Sequence, residues 1–228
     1  MQRSATSRGV DRRSADDVAI STRTLTQVNL KLVRLKMAIQ RAPTTIRNAL
    51  RDLRYGGLLG GRVESRYGHL DAYDTANSAY EAMSALFEHV KVADDDVIVD
   101  IGCGKGRALN WFLSRYPRHT IYGIELDPEV CARTKRRLRR FSNVRVLCGD
   151  AASLLPADGT LLYLFNPFGA DAMQRFIDAL RGSKSSEAKR TIVYYNCKWI
   201  DCYVNDPQFD VELIDIPDHH RAAIIRMA

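Results

Sequence analysis

A glycine-rich turn follows a short run of apolar, β-branched residues at positions 97–101. It begins at Asp100 and continues through Gly102, Gly104 and Gly106. Because glycine has no Cβ, such a turn can bend sharply and let a ligand approach the backbone. The spacing departs from the GxGxxG of dinucleotide sites, since Arg107 stands where the third glycine belongs, and no phosphate-binding GxxxxGK(S/T) is present. A carboxylate before the glycines would repel a pyrophosphate and attract a cationic ligand.

Two further acidic residues end apolar runs later in the chain. Glu125 lies in Gly-Ile-Glu-Leu-Asp, and Asp150 lies in Cys-Gly-Asp-Ala. In a parallel sheet the carboxyl ends of the strands meet at one edge, where ligands bind near the switch point of the strand order. There Glu125 can accept hydrogen bonds from the two hydroxyls of a ribose, and Asp150 can accept one from the amine of an adenine. With the glycine turn, these residues predict an adenosine site.

The chain alternates short apolar runs with helical patterns, which predicts the sheet that positions these residues. We expect five strands, at 97–101, 120–124, 144–147, 161–165 and 191–195, and a closing antiparallel hairpin from 209–215 and 222–226. Such alternation is typical of an α/β fold with a mostly parallel sheet and helices on both faces. The helix before the first strand is expected to be capped by Asp74 or Thr75 and to run to about His89.

The ordered motifs resemble those of a known family. Residues 99–107, 123–127 and 149–151 are similar to the first three motifs of the class I (Rossmann-like) S-adenosylmethionine-dependent methyltransferases, and the resemblance covers residues 75–228. It implies a doubly wound, mostly parallel seven-stranded sheet with a C-terminal antiparallel hairpin. It also implies S-adenosylmethionine as the cofactor. The residues expected to bind it are Asp100, Gly102, Gly104, Gly106, Glu125 and Asp150.

A fourth segment, Asn166-Pro167-Phe168, follows the fourth strand. It is similar to the Asp/Asn-Pro-Pro-aromatic motif of amino-methyltransferases, although Phe168 stands where that motif has its second proline. The resemblance implies that Asn166 and Phe168 position an acceptor nitrogen, so all three residues are candidate catalytic residues. The same residues would also suit a turn that ends a strand and buries a ring.

The acceptor is left open by the sequence. We favour an amine nitrogen of a protein side chain or a small molecule, because no dedicated base is evident for an unactivated hydroxyl. An RNA methyltransferase and a non-catalytic cofactor-binding module that acts through an N-terminal helix are the alternatives. A nicotinamide oxidoreductase is disfavoured by the glycine spacing.

The net charge of +7 is unevenly distributed along the chain. Residues 1–62 contain 13 Lys or Arg against 4 Asp or Glu, whereas residues 63–228 contain 21 against 23. We therefore expect a basic, partly disordered and helical extension over 1–62 and a methyltransferase domain over 63–228. Apolar residues at spacings of three and four predict a helix over 25–39. Its seam is expected to dock on the chain's own domain or on a second copy, and its charge suits an anionic partner.

The cysteines and the apolar runs indicate the cellular compartment and whether the chain crosses a membrane. The five cysteines show no CxxC or Cys/His ligand spacing, which favours reduced cysteines, no metal site and a cytoplasmic protein. No apolar run reaches the length of a membrane span, so none is expected.

Overall fold

The computed structural model describes residues 43–61, 77–182, 190–216 and 220–227. One compact unit runs from Asn48 to Ala228, and the other comprises Met1–Arg47, of which only the last residues are described. The helices described are α1 (Thr44–Arg54), α2 (Tyr80–Phe87), α3 (Arg107–Arg115), α4 (Pro128–Leu138), α5 (Ala151–Leu154), α6 (Ala170–Gly182) and α7 (Asp201–Val204). The strands are β1 (Ile98–Ile101), β2 (Ile121–Glu125), β3 (Val144–Cys148), β4 (Leu161–Phe165), β5 (Thr191–Tyr195), β6 (Phe209–Ile214) and β7 (Ala222–Met227).

The seven strands form one sheet in the order β3-β2-β1-β4-β5-β7-β6. The first five strands are parallel, and β7 pairs antiparallel with both β5 and β6. The strand order reverses between β1 and β4, which puts the switch point at the end of β1. The predicted α/β fold, its strands and its closing hairpin are confirmed.

The central strands are apolar on both faces because helices cover both sides of the sheet. Strands β1 and β2 are buried at every position, as expected for a parallel sheet between two helical layers. One apolar cluster packs α2, α3 and α4 on one face, and a second packs α6 and α7 on the other. Alternate residues of each strand therefore enter different cores, which fixes the register of the strands.

The helix α4 starts where its sequence signals predict. Asp127 caps it by accepting hydrogen bonds from the backbone N–H groups of Glu129 and Val130, and Pro128 occupies the first turn. The helix before β1 is shorter than expected, because α2 begins at Tyr80 and Ala79 caps it without a side-chain bond. Asp74 and Thr75, the expected caps, lie outside the described residues.

One expectation about the cysteines is wrong. Cys131 and Cys148 form a disulfide that links α4 to the end of β3, whereas the sequence favoured reduced cysteines throughout. The two residues are 17 positions apart, and only the packing of α4 beside β3 brings their Cα atoms to 5.7 Å. Cys103, Cys197 and Cys202 are free thiols.

Only part of the N-terminal extension is described. The helix predicted over 25–39 lies outside the described residues, and the domain boundary at residue 62 stays a prediction. Helix α1 belongs to the predicted extension and carries Asp52, which is fully buried. Among the described residues, no helix is both long and apolar enough to cross a membrane.

Candidate functional site

The predicted site residues meet at one edge of the sheet. Asp100 and the glycines follow from β1, Glu125 ends β2, and the segment at residue 166 follows β4. The register pairs Ile101 with both Ile124 and Leu164, so these strand ends are level with one another. Asp150 comes two residues after Cys148, which pairs with Glu125. The structure therefore brings all nine candidate residues to the carboxyl edge of four adjacent strands, with the loop after β1 at the switch point.

The glycine loop turns through left-handed backbone conformations that only glycine adopts readily. Its three glycines have φ values of +72°, +53° and +78° at Gly102, Gly104 and Gly106. A Cβ on Gly102 would lie 2.6 Å from the Cβ of Pro167. A Cβ on Gly106 would lie 2.9 Å from atoms of Thr134. The loop thus fits tightly between the end of β4 and helix α4.

Asp100 is the most distinctive charged group at this edge. It is 3% exposed, and its Oδ2 has no hydrogen-bond partner among the described residues. Burial, and then the negative charge of Glu125, raise the pKa of the Asp100 carboxyl well above its ordinary value. A buried carboxylate without a hydrogen-bond partner is costly, and a cationic group beside it would offset that cost. The geometry fits a ligand that presents a cationic group at this point.

Glu125 is fixed by backbone donors on both of its oxygens. Its Oε2 accepts from the N–H of Gly104 at 2.8 Å, and its Oε1 accepts from the N–H of Asp127 at 2.9 Å. Burial raises the pKa of the Glu125 carboxyl, and these two hydrogen bonds oppose the rise. Each carboxylate oxygen can accept a second hydrogen bond. Contact with a ribose is therefore compatible with the observed geometry and stays a prediction.

Asp150 has a structural role as a helix cap, which its sequence position did not predict. It is exposed and caps helix α5, because its Oδ2 accepts from the N–H of Ser153 at 3.2 Å and from the hydroxyl of Ser153 at 3.0 Å. The backbone N–H of the preceding Gly149 donates to the carbonyl of Glu125 at 2.9 Å, which ties the end of β3 to the end of β2. The predicted contact with an adenine remains untested.

The segment Asn166-Pro167-Phe168 closes over the glycine loop. Asn166 is buried and has a left-handed φ of +42°, and its Oδ1 accepts a hydrogen bond from the hydroxyl of Tyr194 at 3.1 Å. Pro167 packs against Gly102, whereas Phe168 packs against Phe176 of α6, with ring centroids 5.7 Å apart. Its ring is partly buried against a core helix, and its predicted contact with an acceptor stays a prediction.

A second strained asparagine marks the neighbouring strand end. Asn196, directly after β5, has a φ of +52°, and it and Asn166 are the two non-glycine residues with positive φ in the described part of the chain. Such backbone strain costs free energy and concentrates at functional sites. The two residues lie at the ends of the adjacent strands β4 and β5.

An aromatic cluster beside these asparagines was not predicted. Phe165 and Tyr195 end β4 and β5, with ring centroids 4.9 Å apart. The ring of His220 lies 5.5 Å from that of Tyr195 and 6.0 Å from that of Phe165. The antiparallel β7 carries His220 to this edge, since Ala222 pairs with Tyr195. No local sequence pattern predicts this cluster, because its three rings come from residues up to 55 positions apart.

A buried polar network under the glycine loop was also missed. The carboxylate of Asp52 accepts from the Nε and Nη2 of Arg107 at 3.0 and 2.6 Å and from the hydroxyl of Tyr80 at 3.0 Å. Arg137 of α4 donates to the carbonyl oxygens of Lys105 and Gly106 at 2.8 and 3.3 Å. Arg137 therefore binds the loop directly, and Asp52 holds Arg107, the residue that follows the loop. No local sequence pattern predicts this network, because Asp52 and Arg107 are 55 residues apart in the chain.

By resemblance to the class I methyltransferases, Tyr73, Asn77 and Tyr80 lie where a lid over the cofactor is expected. Tyr80 is buried within this network, where burial raises the pKa of its hydroxyl, so it does not cover the edge of the sheet. Tyr73 lies outside the described residues. Asn77 donates from its side-chain amide to the carbonyl of Leu59.

A cavity of about 550 Å³ lies away from the predicted residues, between α1, α2 and α3. Its lining includes Arg51, Arg54 and Arg115 together with the rings of Tyr80 and Trp111. None of the nine candidate residues lines this cavity. We therefore place the candidate site at the strand edge, where strain, burial and unpaired charge coincide.

Comparisons with known proteins agree with this arrangement. Residues 98–181 match a family model described as a methyltransferase domain. Trans-aconitate 2-methyltransferase of Methylobacterium nodulans is 35% identical over 71 residues, which cover 31% of this chain and 26% of that protein. A probable cobalt-precorrin-6B C(15)-methyltransferase (decarboxylating) of Archaeoglobus fulgidus is 35% identical over 75 residues, covering 33% of this chain and 44% of that protein. The matched part of the chain thus spans less than half the length of each of these relatives.

The fold has structural neighbours in the same class of proteins. The structure of precorrin-6y C5,15-methyltransferase from Geobacter metallireducens has a TM-score of 0.50 and 18% identity, and the match covers 65% of this chain and 88% of that one. That likeness is one of fold. The family match runs from β1 to α6 and contains the glycine loop, Glu125, Asp150 and Asn166. The motifs, the sheet order and the family match over residues 98–181 thus agree on a methyltransferase domain with the fold of the class I S-adenosylmethionine-dependent methyltransferases.

Proposed function

We propose that the chain is an enzyme that binds S-adenosylmethionine at the carboxyl edge of β1, β2 and β3 and transfers its methyl group to an amine nitrogen. The observation that carries the proposal is the buried, unpartnered Oδ2 of Asp100 beside a loop that bends through three left-handed glycines. A neutral or anionic ligand would leave that carboxylate uncompensated, whereas an ammonium group would pair with it.

Each predicted residue has one task in this proposal. When bound, S-adenosylmethionine supplies a methyl group that its sulfonium already activates. Asp100 pairs with the ligand's ammonium, and the loop admits the ligand close to its backbone. Glu125 accepts hydrogen bonds from the ribose, and Asp150 accepts one from the adenine.

The end of β4 supports the acceptor side of the proposal. Pro167 lies directly on Gly102, so the segment from Asn166 to Phe168 abuts the cofactor loop. The carbonyl groups of that segment can accept hydrogen bonds from an amine and orient its nitrogen toward the methyl group. The acceptor proton then leaves to water or to a neighbouring group. The strain at Asn166, fixed by Tyr194, holds the segment in one geometry.

Calorimetric titration tests the cofactor assignment. We expect the purified chain to bind S-adenosylmethionine and S-adenosylhomocysteine and not the reduced nicotinamide cofactor. Glu125→Gln should weaken both interactions by at least about tenfold, because it removes a charge-assisted acceptor for the ribose. Glu129→Gln is the matched control, since Glu129 is exposed in the first turn of α4. Equal binding by wild type and Glu125→Gln would remove Glu125 from the cofactor site.

Transfer of a labelled methyl group tests the acceptor class. We expect label to pass from the methyl donor to amine-containing acceptors, protein and small-molecule, before hydroxyl-containing ones. Asn166→Ala should lower the transfer rate and leave the affinity for S-adenosylhomocysteine within about twofold. Cofactor binding without transfer to any amine, hydroxyl or RNA acceptor would favour a non-catalytic module. Transfer to RNA alone would make the chain an RNA methyltransferase.

A further inference from the structure

Helix α1 buries polar residues and exposes apolar ones. Asn48 and Asp52 are 7% and 0% exposed. Ile46, Leu50 and Leu53 are 50%, 43% and 54% exposed. Their spacing of four and three residues places these apolar side chains in one stripe along the helix. Leu58, just after the helix, is 66% exposed, so four of the six exposed large apolar side chains in the described residues lie within thirteen positions.

A row of arginines borders this apolar stripe. Arg47, Arg51 and Arg54 repeat at the same spacing of four and three residues. Over residues 22–54 the sequence has eight Lys or Arg and one acidic residue, Asp52. That carboxylate is already paired with Arg107, whereas the acidic side chain that meets this row is Glu81 of α2, 3.3 Å from Arg51.

The basic surface continues from α1 onto the end of α4. The side chain of Arg140 donates to the carbonyl oxygen of Arg54, which brings the two helix ends together. Lys135, Arg136 and Arg139 are exposed on the same part of α4. An aliphatic stripe therefore lies beside a large cluster of cationic side chains.

We propose that α1 docks the protein on an anionic lipid surface. In this arrangement the stripe of Ile46, Leu50 and Leu53 enters the boundary between headgroups and acyl chains, and the arginines meet the lipid phosphates. An amphipathic helix with a basic border binds in the plane of such a surface, with contributions from both buried apolar area and charge. The proposal does not depend on methyl transfer.

The chemistry of the surface favours lipid over the other occupants. A second copy of the chain would bring two basic helices together, and their like charges would repel. A nucleic acid would satisfy the arginines but leave the aliphatic stripe in water, since bases stack on aromatic rings. A lipid surface with anionic headgroups would pair with the arginines and bury the aliphatic stripe at the same time.

Vesicle co-sedimentation of the full chain tests the proposal. The two probes are vesicles of phosphatidylcholine alone and vesicles of phosphatidylcholine with about a third phosphatidylglycerol. We expect binding to the second to be at least about tenfold stronger. Leu50→Ser with Leu53→Ser should lower that binding at least about tenfold because it removes apolar area from the stripe. Arg54→Gln should lower it about fivefold.

Matched variants separate docking from folding. Val204→Ser and Leu213→Ser remove exposed apolar side chains elsewhere and should leave vesicle binding unchanged, since these side chains are 52% and 46% exposed. If circular dichroism shows that the double variant is unfolded, Leu58→Ser serves in its place. It should lower binding severalfold.

Three outcomes would overturn the proposal. Equal binding to both vesicle types would remove the role of charge, and unchanged binding of the leucine variants would remove the role of the stripe. A dimer in sedimentation equilibrium that the leucine variants convert to monomer would assign the stripe to a second copy. Tight binding of single-stranded poly(U) RNA, unaffected by those variants and blocking vesicle binding, would assign the basic surface to nucleic acid.

Discussion

The two halves of the strand edge are built from contacts of different range. The cofactor half, which we propose to bind S-adenosylmethionine, comprises the ends of β1, β2 and β3. The acceptor half, which we propose to bind the methyl acceptor, comprises the ends of β4 and β5 with the start of β7. In the cofactor half, Glu125 is fixed by the N–H groups of Gly104 and Asp127, which are 21 and 2 residues away. In the acceptor half, side chains 25 to 30 residues apart meet, as in the pairs Tyr195–His220 and Phe165–Tyr195.

This difference explains why the residues of one half could be predicted from the sequence and those of the other could not. The backbone geometry of the glycine loop admits few residue types, so its motif is short and regular. The acceptor half depends on which side chains happen to face one another across distant strands, and these can vary with the acceptor. If this division holds, changes in one half should leave the task of the other unaffected.

The largest expected effect comes from Gly102→Ala in the cofactor half. The substitution puts a Cβ on a residue with φ of +72° and 2.6 Å from Pro167. Left-handed strain and overpacking together should lower the free energy of unfolding by about 2–5 kcal/mol, measured by urea denaturation. Gly182→Ala, with nothing within 4 Å, is the control and should leave stability unchanged or slightly raised. Equal stability of the two variants would show that the loop tolerates a side chain.

Removing the disulfide, which also lies in the cofactor half, should cause the next largest loss of stability. Closing a loop of about 17 residues between Cys131 and Cys148 should contribute about 3 kcal/mol to stability. Cys131→Ser should lose that amount in urea denaturation, and a reducing agent should lower the wild-type protein to the same level. Cys202→Ser, which removes a free and partly exposed thiol, is the control. A wild-type protein insensitive to reductant would show that the bond does not form in solution.

Asp100→Asn tests the unpaired charge of the cofactor half. The variant should bind S-adenosylmethionine at least about tenfold more weakly, because it loses a charge-assisted hydrogen bond. Without ligand it should melt at a higher temperature than the wild type near neutral pH, because the amide avoids the cost of burying a carboxylate. Melting curves and calorimetric titrations measure both effects, and a simultaneous loss of affinity and stability would contradict the assignment.

The raised pKa of Asp100 fixes the sign of a pH dependence in the wild type. The folded state holds this proton more tightly than the unfolded state, so ligand-free stability should fall as the pH rises above the ordinary carboxyl range. Affinity for the cationic ligand should rise over the same range, because binding requires the ionised form. Asp100→Asn should lose both dependences. A wild-type affinity that falls with rising pH would reverse the sign and exclude Asp100 as the partner of the ammonium.

The sequence was sufficient for the features that local rules control. The strands follow from apolar runs, and the start of α4 follows from Asp127 and Pro128, because each depends on neighbouring residues. The location of the candidate site at the strand edge followed from the topology, since the carboxyl ends of parallel strands lie at the same edge of the sheet. The placement of Asp100, the glycines, Glu125, Asp150 and Asn166 at one edge could therefore be predicted.

The rest depends on contacts that no local pattern encodes. Asp52 looked like an ordinary helical residue, yet it is fully buried by Arg107 from 55 residues away. The bond between Cys131 and Cys148 required the packing of α4 beside β3. The buried hydroxyl of Tyr163, 2.7 Å from the hydroxyl of Ser78, likewise joins elements 85 residues apart. Such residue pairs come into contact only through the tertiary packing of distant elements.

The smallest expected effect comes from the acceptor half and tests its separation from the cofactor half. Tyr194→Phe removes the hydroxyl that donates to Asn166 and accepts from the N–H of Trp199. Stability should fall by about 1 kcal/mol, the net worth of an ordinary hydrogen bond. Affinity for S-adenosylhomocysteine should stay within about twofold, because the cofactor half is unchanged. Label transfer to the acceptor found in the amine screen should slow, since Asn166 is no longer held in its strained geometry.

Tyr203→Phe is the matched control for this last change. Tyr203 is buried on the same face of the sheet, and its hydroxyl donates to the sulfur of Met173 rather than to Asn166. It should lose a similar amount of stability and transfer label at the wild-type rate. A fall in S-adenosylhomocysteine affinity in Tyr194→Phe that matched the fall in transfer rate would mean that Asn166 acts through Pro167 and the glycine loop. The two halves would then be one cooperative unit, and the acceptor could not be exchanged without retuning the cofactor site.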